Sequence, residues 1–322
     1  MILKEIDWIG LMIKIIYKNM GNNIFEVMER NKFSYKAIRE KSIVSLLNEN
    51  EYTINVIIGF RDRQQFYEAI TESFEQAFKY YLNKFPEREH FFCLTFVEHS
   101  EKPEGQKFFE GRTNYIWSSG PDWNKLYNRS FSYNIGVLWG NKAGYYLLHD
   151  LDVVVKKTFF EDLFKDLMNF NYPKAFQPYG KRRILYLNEE LTQKVLNKEI
   201  DYNTFSENTP GVTPPKIDPA ILNSKGGSLL LSRELYYDSG AMPANTYSGY
   251  AAEDQQFFAQ LETLCEEVVL ATNNDIFHLN HPVSHFSNPE VHDMDDRFRQ
   301  FKEMNKPSRM QVINILKQQF LQ

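Results

Sequence analysis

Two β-branched apolar segments, separated by an amphipathic one, limit the fold more than any other feature of this sequence. TINVIIG at 53–59 and HFFCLTFVE at 90–98 each have the composition of a buried strand. Residues 64–83 between them carry apolar side chains at helical spacing and predict a crossover helix. Strand–helix–strand order predicts parallel pairing in an open α/β sheet, which binds ligands outside the carboxyl ends of its strands.

A third apolar segment ends in paired carboxylates. YYLLHDLDVVV predicts one buried strand over 144–155 that carries Asp150 and Asp152. Carboxylate oxygens suit a hard divalent cation such as Mn²⁺ or Mg²⁺, and such a cation neutralises a diphosphate as it leaves a sugar. An Asp-x-Asp also occurs on ordinary solvated loops, so this interpretation depends on its companions.

Two histidines are the first companions. His278 and His281 stand three residues apart, so both imidazoles reach one centre from a helical turn or a tight bend. Mixed oxygen and nitrogen ligands favour Mn²⁺ over Ca²⁺. Taken alone, each histidine is better explained as a structural side chain, and the Asp pair is what favours a metal site.

Carboxylates and arginines elsewhere have two interpretations each. Glu253 and Asp254 either provide the base that takes a proton from an acceptor hydroxyl or simply place negative charge at a helix start. Arg61 and Arg63 follow the first strand, where they either hold a nucleotide or a phosphate or make an exposed turn soluble. Tyr250 either stacks on a sugar face or packs into the core.

Composition excludes several classes of function. The net charge is -5, and the chain has no long basic block, which excludes a nucleic-acid partner. The two cysteines do not indicate a disulfide framework, so we expect a reducing cytoplasm. No apolar run approaches the roughly 18 residues of a membrane-spanning helix, and the start lacks the features of a signal peptide.

Three segments follow from the pattern: a helical segment at 1–50, a main domain at 51–294 and a helical tail at 295–322. The apolar start, 1–20, is either an amphipathic helix packed on the domain or a helix that contacts a membrane surface or a partner. The Pro- and Gly-rich stretch 200–227 predicts a long mobile connection of the kind that closes over active sites.

Taken in order, these segments resemble the β-1,4-galactosyltransferase family and the bacterial glycosyltransferases related to it. IIGFRDRQQF is similar to the family's Phe-Arg-x-Arg segment, and YNR followed by NIG is similar to its Phe-Asn-Arg…Asn-x-Gly segment. HDLDVV resembles its Asp-Val-Asp. GGSLLLSRELYYDSGAMPANTYSGYAAEDQQF resembles its Gly-Gly…Gly-Trp-Gly-Gly-Glu-Asp-Asp-Asp block, and HLNH stands where the family has Met-x-x-His. The five motifs keep the family's order between residues 54 and 300.

The resemblance implies a GT-A fold, in which a mixed, mostly parallel sheet is flanked by helices, and a metal-dependent transfer with inversion at the anomeric carbon. It assigns these residues to the donor: Arg61, Arg63, Arg129, Asp150, Ser224 and Gly227. It assigns these to the metal: Asp152, His281 and, in the family's Met position, His278. It makes Asp254 the catalytic base, while Glu253 holds donor or acceptor hydroxyls and Tyr250 replaces the Trp that lines the sugar site.

Three departures from the family pattern bear on substrate specificity or on cellular location. Ser224 stands where galactose-specific members have a bulky Tyr, which leaves room for an N-acetyl group and favours a UDP-N-acetylhexosamine donor over UDP-galactose. Gln255 and Gln256 replace two acidic residues that help to bind the acceptor, so acceptor identity does not carry over. The family's secretory anchor is absent, which fits a cytoplasmic, or membrane-associated, bacterial enzyme of surface polysaccharide synthesis.

The sequence therefore predicts an inverting glycosyltransferase that uses Mn²⁺, or alternatively Mg²⁺, to move a hexose or N-acetylhexosamine from a UDP-sugar to a glycan hydroxyl. Two other classes use the same residues. A metal-dependent phosphoesterase would turn over without a sugar acceptor, and a catalytically silent glycan-binding protein would bind sugar without releasing UDP.

Overall fold

A computed structural model describes residues 23–45, 51–88, 91–121, 126–180, 184–214, 226–247, 252–272, 274–282 and 291–322. The strands are β1 (Ile43–Ser45), β2 (Tyr52–Phe60), β3 (Phe92–His99), β4 (Asn114–Ser118), β5 (Ala143–Asp150), β6 (Val153–Val155), β7 (Ala175–Gln177), β8 (Ile184–Leu187), β9 (Val212–Thr213), β10 (Ser228–Ser232), β11 (Val269–Leu270) and β12 (Ile276–His278). The helices are α1 (Ile24–Arg30), α2 (Tyr35–Arg39), α3 (Tyr67–Lys84), α4 (Gln106–Phe109), α5 (Arg129–Trp139), α6 (Phe159–Asn169), α7 (Glu189–Leu196), α8 (Arg233–Asp238), α9 (Glu253–Thr263), α10 (Val291–Glu303) and α11 (Lys306–Phe320). Within these ranges, no helix combines the length and apolarity needed to cross a bilayer.

The predicted strand–helix–strand unit forms the centre of an eight-stranded mixed sheet, ordered β1-β4-β3-β2-β5-β10-β7-β11. β2 pairs in parallel with β3 on one side and with β5 on the other, so the carboxyl ends of these three strands meet at one edge. β10 runs antiparallel to both β5 and β7. The parallel pairing predicted from the sequence is confirmed.

The strand predicted over 144–155 is two strands, and that prediction is corrected here. β5 ends at Asp150, the chain turns through Leu151 and Asp152, and β6 joins a second, four-stranded sheet ordered β6-β12-β8-β9. The turn is held from both sides: the Asp150 amide donates to the carbonyl of Gly227 (3.0 Å), and the Leu279 amide donates to the carbonyl of Asp152 (2.7 Å). Both strands are apolar, so periodicity alone did not reveal the change of sheet.

Apolar side chains cover both faces of the large sheet, which explains why its strands are continuously apolar in sequence. On one face, Ile58 of β2 and Leu147 of β5 belong to a core with Phe74 of α3 and the inner side chains of α6 and the second sheet. On the other face, Ile57 of β2 and Leu148 of β5 pack with α5, α8 and α9. Because the strands are buried on both faces, their carboxyl ends are held at one edge of the sheet, where the polar side chains lie.

Helix α5 lies directly against the sheet because Gly136 has no side chain. Asn128 caps its start by accepting from the Phe131 amide (2.8 Å). A Cβ at Gly136 would lie 2.4 Å from Cγ2 of Ile57 and 3.1 Å from Cγ2 of Val97. The Asn and Gly of the motif therefore hold the helix whose first residue is Arg129.

A Gly136→Ala variant is expected to lose about 1–3 kcal/mol of unfolding free energy, because the added methyl group overpacks a fully buried contact. Urea denaturation measures the loss. Gly144→Ala is the matched control: among the described residues, its Cβ would have only the Thr53 carbonyl as a neighbour, at 3.5 Å. Equal stability of the two variants would contradict this account of how α5 is placed.

The terminal segments add both helices and one strand to the domain. The described part of 1–50 contains α1, α2 and also β1, which pairs antiparallel with β4 at the sheet edge and which the sequence did not indicate. Helices α10 and α11 lie at the end of the chain, and Phe301, Val312 and Leu316 are buried in a core shared with α1. The division into three segments stays a prediction, and residues 1–20 lie outside the described residues.

The connection predicted at 200–227 is partly ordered. Tyr202 and Phe205 are buried in the core beside the second sheet, and β9 pairs antiparallel with β8. The prediction of a long, wholly mobile connection is therefore wrong for 200–214, because these apolar side chains anchor it. Residues 215–225 lie outside the described residues.

Candidate functional site

The predicted site residues lie at the carboxyl ends of the central strands. Arg61 and Arg63 follow β2, Asp150 is the last residue of β5, and Arg129 begins α5. The change of sheet after Asp150 sends the two aspartates to different neighbours. The site therefore consists of two side-chain clusters joined by one short turn.

The first cluster, here called the histidine cluster, consists of Asp152, His278 and His281. One candidate ligand atom from each residue lies within 4.8 Å of the other two. His281 Nε2 is 3.0 Å from Asp152 Oδ2, and His278 Nε2 is 3.7 Å from Asp152 Oδ1. Small side-chain rotations bring such atoms to the spacing of two ligands on one cation, about 3–4 Å for bonds of about 2.1 Å.

The surroundings of the His281 ring show whether the histidine cluster fits a metal. His281 Nε2 is buried and lies 3.0 Å from Oδ2 of Asp152, but among the described residues it makes no well-aligned hydrogen bond. Its other nitrogen, Nδ1, is 2.8 Å from the Pro282 carbonyl, a contact that orients metal-binding imidazoles. Because a buried polar atom without a partner is costly, an inward-facing free nitrogen beside a carboxylate fits a divalent first-row metal.

The fold builds this cluster from three neighbouring elements. His278 ends β12, which pairs with β6 immediately after Asp152, and the Leu279 amide bonds the Asp152 carbonyl. The His278 ring stacks on Tyr186 of β8 with centroids 4.7 Å apart. The bend after β12 then returns His281 to the same point, as the predicted tight bend requires.

Electrostatics hold Asp152 ionised. Burial favours the neutral acid, but the close approach of His281 and the charges of His278 and Arg63 outweigh it and hold the pKa of Asp152 well below its usual range. The contact with Asp152 in turn raises the pKa of His281, against the effect of burial. Asp152 is therefore a carboxylate at neutral pH, which is the form that binds a cation.

Arg63 makes an ion pair with Oδ2 of Asp152. The Arg63 side chain is 36% exposed, whereas that of Asp152 is 8% exposed. Its neighbour Arg61 lies near His99, and burial together with the Arg61 charge lowers the pKa of His99 to about 4. The two arginines of the motif thus face different groups.

The second cluster, here called the arginine cluster, consists of Arg129 and three carboxylates. Nη1 of Arg129 lies 3.2 and 3.0 Å from the two oxygens of Asp150, and Nη2 donates to Oε1 of Glu253 at 2.8 Å. Nη2 also contacts Oδ2 of Asp254. The Tyr133 hydroxyl donates to Asp150 at 2.8 Å. A single guanidinium therefore fixes the predicted base, the predicted hydroxyl-binding Glu253 and the end of β5.

The arginine cluster shifts the titration of the predicted base. Burial and the charges of Glu253 and Asp150 outweigh the opposing effect of Arg129 and raise the pKa of Asp254 to about 7. Burial likewise raises the pKa of Glu253. A carboxyl group that titrates near neutrality is suited to accept a proton during a reaction.

Two glycines bring backbone close to the arginine cluster. A Cβ at Gly226 would lie 2.9 Å from Oδ2 of Asp254, and Gly227 has φ +89° while its carbonyl accepts from Asp150. The Tyr179 hydroxyl bonds the Gly226 carbonyl. These glycines, Arg129, Tyr133, Asp150 and Asp254 line one small cavity.

Two contacts in the site, made by Tyr133 and Tyr186, were not predicted from the sequence. Tyr133 is four residues after Arg129, so helical spacing alone would have placed both on one face of α5. Tyr186 had no such signal, because its contact with His278 arises from strand pairing. Ser224 and Tyr250, predicted for the donor and sugar sites, lie outside the described residues.

Comparisons with known proteins identify the fold. No protein-family model matches the sequence, and no curated protein matches it. Among solved structures, Staphylococcus aureus TarS 1-349 in complex with UDP-GlcNAc has a TM-score of 0.51 at 13% identity, covering 81% of this chain and 70% of that one. The catalytic domain of Drosophila β1,4-galactosyltransferase 7 has a TM-score of 0.39 at 16% identity, covering 77% and 79%. Glucosyl-3-phosphoglycerate synthase from Mycobacterium tuberculosis has a TM-score of 0.43 at 13% identity, covering 77% of each chain.

The predicted fold class is confirmed. The mixed sheet flanked by helices has the GT-A architecture, and the match to TarS carries this conclusion. At these identities the likeness shows the fold alone, so activity is argued from the site.

Proposed function

We propose that this protein is a metal-dependent, inverting glycosyltransferase that moves a sugar from a UDP-sugar to a glycan hydroxyl. The observation that carries the proposal is the histidine cluster beside the arginine cluster at the carboxyl edge of a GT-A sheet. One cluster suits a cation and its diphosphate, and the other holds a carboxyl group that titrates near neutrality. TarS, which shares the fold, was solved with UDP-GlcNAc.

The side chains divide the reaction between them. Asp152, His281 and His278 would hold Mn²⁺, with Mg²⁺ as the alternative, and the bound metal would supply charge that stabilises the departing diphosphate. Arg61 and Arg63 would bind the donor phosphates. Asp254 would take the proton from the acceptor hydroxyl as that oxygen attacks the anomeric carbon from the face opposite the leaving UDP.

The arginine cluster would position this base. Arg129 bonds Asp150, Glu253 and Asp254 together, which fixes the direction of the Asp254 carboxylate relative to the end of β5. Glu253 would hold a donor or acceptor hydroxyl. The prediction that Arg129 contacts the donor nucleotide would require its guanidinium to bind phosphate in addition to these carboxylates.

The finer predictions extend this proposal. Ser224 and Gly227 would lie beside the donor sugar, with room for an N-acetyl group, and Tyr250 would line the sugar site. The acceptor would be a growing surface glycan of a bacterium, reached from the cytoplasm. Residues 1–20 would form an amphipathic helix that either packs on the domain or contacts a membrane surface or a partner.

The pH dependence of kcat/KM is expected to follow Asp254. Because its pKa is raised to about 7, Asp254 is protonated and inactive as a base at lower pH. We expect kcat/KM to rise about tenfold per pH unit below pH 7 and to level above it. The same shift affects stability, because the protonated Asp254 side chain is favoured in the folded state. Its contribution to the free energy of unfolding is complete below 3.8, the pKa of an unperturbed Asp, and is lost as the pH rises through about 7. A profile that is flat between pH 5 and pH 8 would contradict the assignment.

Calorimetric titration with nucleotides tests the proposed donor site. UDP is expected to bind tightly only when Mn²⁺ is present, and ADP, which has the same diphosphate and a larger base, serves as the matched control. UDP binding that is unchanged by Mn²⁺ would contradict the proposed metal site, and absence of UDP binding would contradict the proposed function.

A further inference from the structure

Arg63 contacts the proposed metal site at the point where a metal would bind. Its guanidinium pairs with Oδ2 of Asp152, the same oxygen that lies 3.0 Å from the unsatisfied Nε2 of His281. A cation shared by Asp152 and His281 would therefore lie directly against the guanidinium. Two positive charges at this separation repel each other strongly in a partly buried site, so the ion pair and the metal compete for one carboxylate.

The competing partners differ in how freely they can move. Asp152 is buried in the turn between β5 and β6, and His281 follows a strand of the second sheet. Arg63 instead projects from a surface turn, where its carbonyl accepts from the amide of the buried Phe66 at 3.0 Å. Its side chain is 36% exposed. Rotation of the Arg63 side chain can therefore free the carboxylate without moving any strand.

A diphosphate would give Arg63 another partner. Guanidinium groups bind phosphate oxygens in two-pronged contacts that are at least as favourable as a single contact with a carboxylate. A donor that enters with its phosphates next to the metal would attract Arg63 away from Asp152. Release of Asp152 and neutralisation of Arg63 would then be one event.

We infer that Arg63 is an exchangeable counter-ion of Asp152. Its ion pair excludes the metal until a nucleoside diphosphate draws the arginine away. Arg63 is thus a positioning residue that couples metal binding to donor binding. This inference rests on the proposed function, because it takes Asp152 and His281 as the metal ligands. It makes the free protein bind Mn²⁺ weakly and makes UDP and Mn²⁺ strengthen each other.

Direct measurement of Mn²⁺ binding tests the inference without reference to activity. The electron paramagnetic resonance signal of free Mn²⁺ is titrated with protein, with and without UDP. In the absence of nucleotide, Arg63→Met is expected to bind Mn²⁺ about tenfold more tightly than the wild type, within the usual 5–150-fold range of such couplings. In the same variant, UDP should increase Mn²⁺ affinity by a smaller factor than in the wild type.

Two further variants control for charge and folding. Arg299→Met removes the same charge from the exposed surface of α10, where Arg299 pairs with Asp296, and should leave nucleotide-free Mn²⁺ affinity at the wild-type value. Arg63→Lys keeps a charge that can pair with Asp152 and should also remain near the wild type. Thermal melting confirms that each variant is folded before titration.

The outcomes separate this inference from the proposed function. Unchanged or weaker Mn²⁺ binding by Arg63→Met, or an equal gain in Arg299→Met, would overturn the counter-ion role while leaving the metal site intact. Failure of the wild type to bind Mn²⁺ even with UDP would overturn the proposed metal site and the inference with it.

Discussion

An Asp254→Asn variant is expected to lose sugar transfer by about 10²–10⁴-fold while it still binds UDP in the presence of Mn²⁺. The amide has nearly the same shape as the carboxyl group and can still accept from Arg129, so the arginine cluster should persist. It cannot accept the acceptor proton. Initial rates of UDP release and calorimetric UDP binding, measured on the same preparation, separate the two effects.

Glu262→Gln is the matched control for this variant. Glu262 lies on the exposed face of the same helix, so the substitution removes one carboxylate from α9 without touching the site. Its transfer rate should equal that of the wild type. Full transfer by Asp254→Asn would show that another group takes the proton, and loss of UDP binding would show that Asp254 has a structural role.

An Asp152→Asn variant is expected to lose more than about 10–100-fold of its metal-dependent UDP affinity. Losses of about 10–100-fold already occur when a residue that only hydrogen-bonds to a metal ligand is removed. Asp152 is the member of the histidine cluster that carries negative charge, and its loss leaves two imidazoles facing Arg63. Calorimetry with UDP at saturating Mn²⁺ measures the change.

Asp162→Asn provides the control, because Asp162 lies in the first turn of α6 and is partly exposed. Its UDP affinity should not change. If Asp152→Asn keeps the wild-type affinity and the wild-type dependence on Mn²⁺, Asp152 is not a metal ligand. A loss of UDP affinity that is equally large without metal would point to disruption of the β5–β6 turn.

The sequence predicted the centre of the large sheet well because its central strands carry a local signal. β2, α3 and β3 lie within a few residues of their predicted limits, since β-branched runs and helical spacing reflect burial on the two faces of the sheet. The edge strand β1 was missed: it has only three residues, and its pairing with β4 is a long-range contact. Short edge strands have little periodicity to detect.

The sequence indicated which residues lie near the candidate site better than it indicated which of them contact each other. Asp152, His278 and His281 were expected to meet, and the structure brings their ligand atoms together. The pair Asp150 and Asp152 was expected to suit one cation, but the Asp150 carboxylate faces Arg129 because the chain changes sheet between the two aspartates. No local pattern distinguishes a continuous strand from one that turns between two apolar halves.

Ion pairing between distant segments was likewise hidden in the sequence. Arg129 contacts Asp254 across 125 positions, and Arg63 contacts Asp152 across 89. Motif order indicated that these residues share a site, but which carboxylate each arginine neutralises depends on three-dimensional placement. The proposed coupling of metal and donor follows from that placement.

The decisive measurement is UDP release from a panel of UDP-sugars, with and without Mn²⁺ and with simple monosaccharide glycosides as acceptors. We expect Mn²⁺-dependent release from one donor, a UDP-N-acetylhexosamine, at a rate that increases when acceptor is added. Release that is independent of acceptor, with cleavage of phosphate esters in general, would instead indicate a phosphoesterase. Sugar binding without any UDP release or UDP binding would contradict the transferase account.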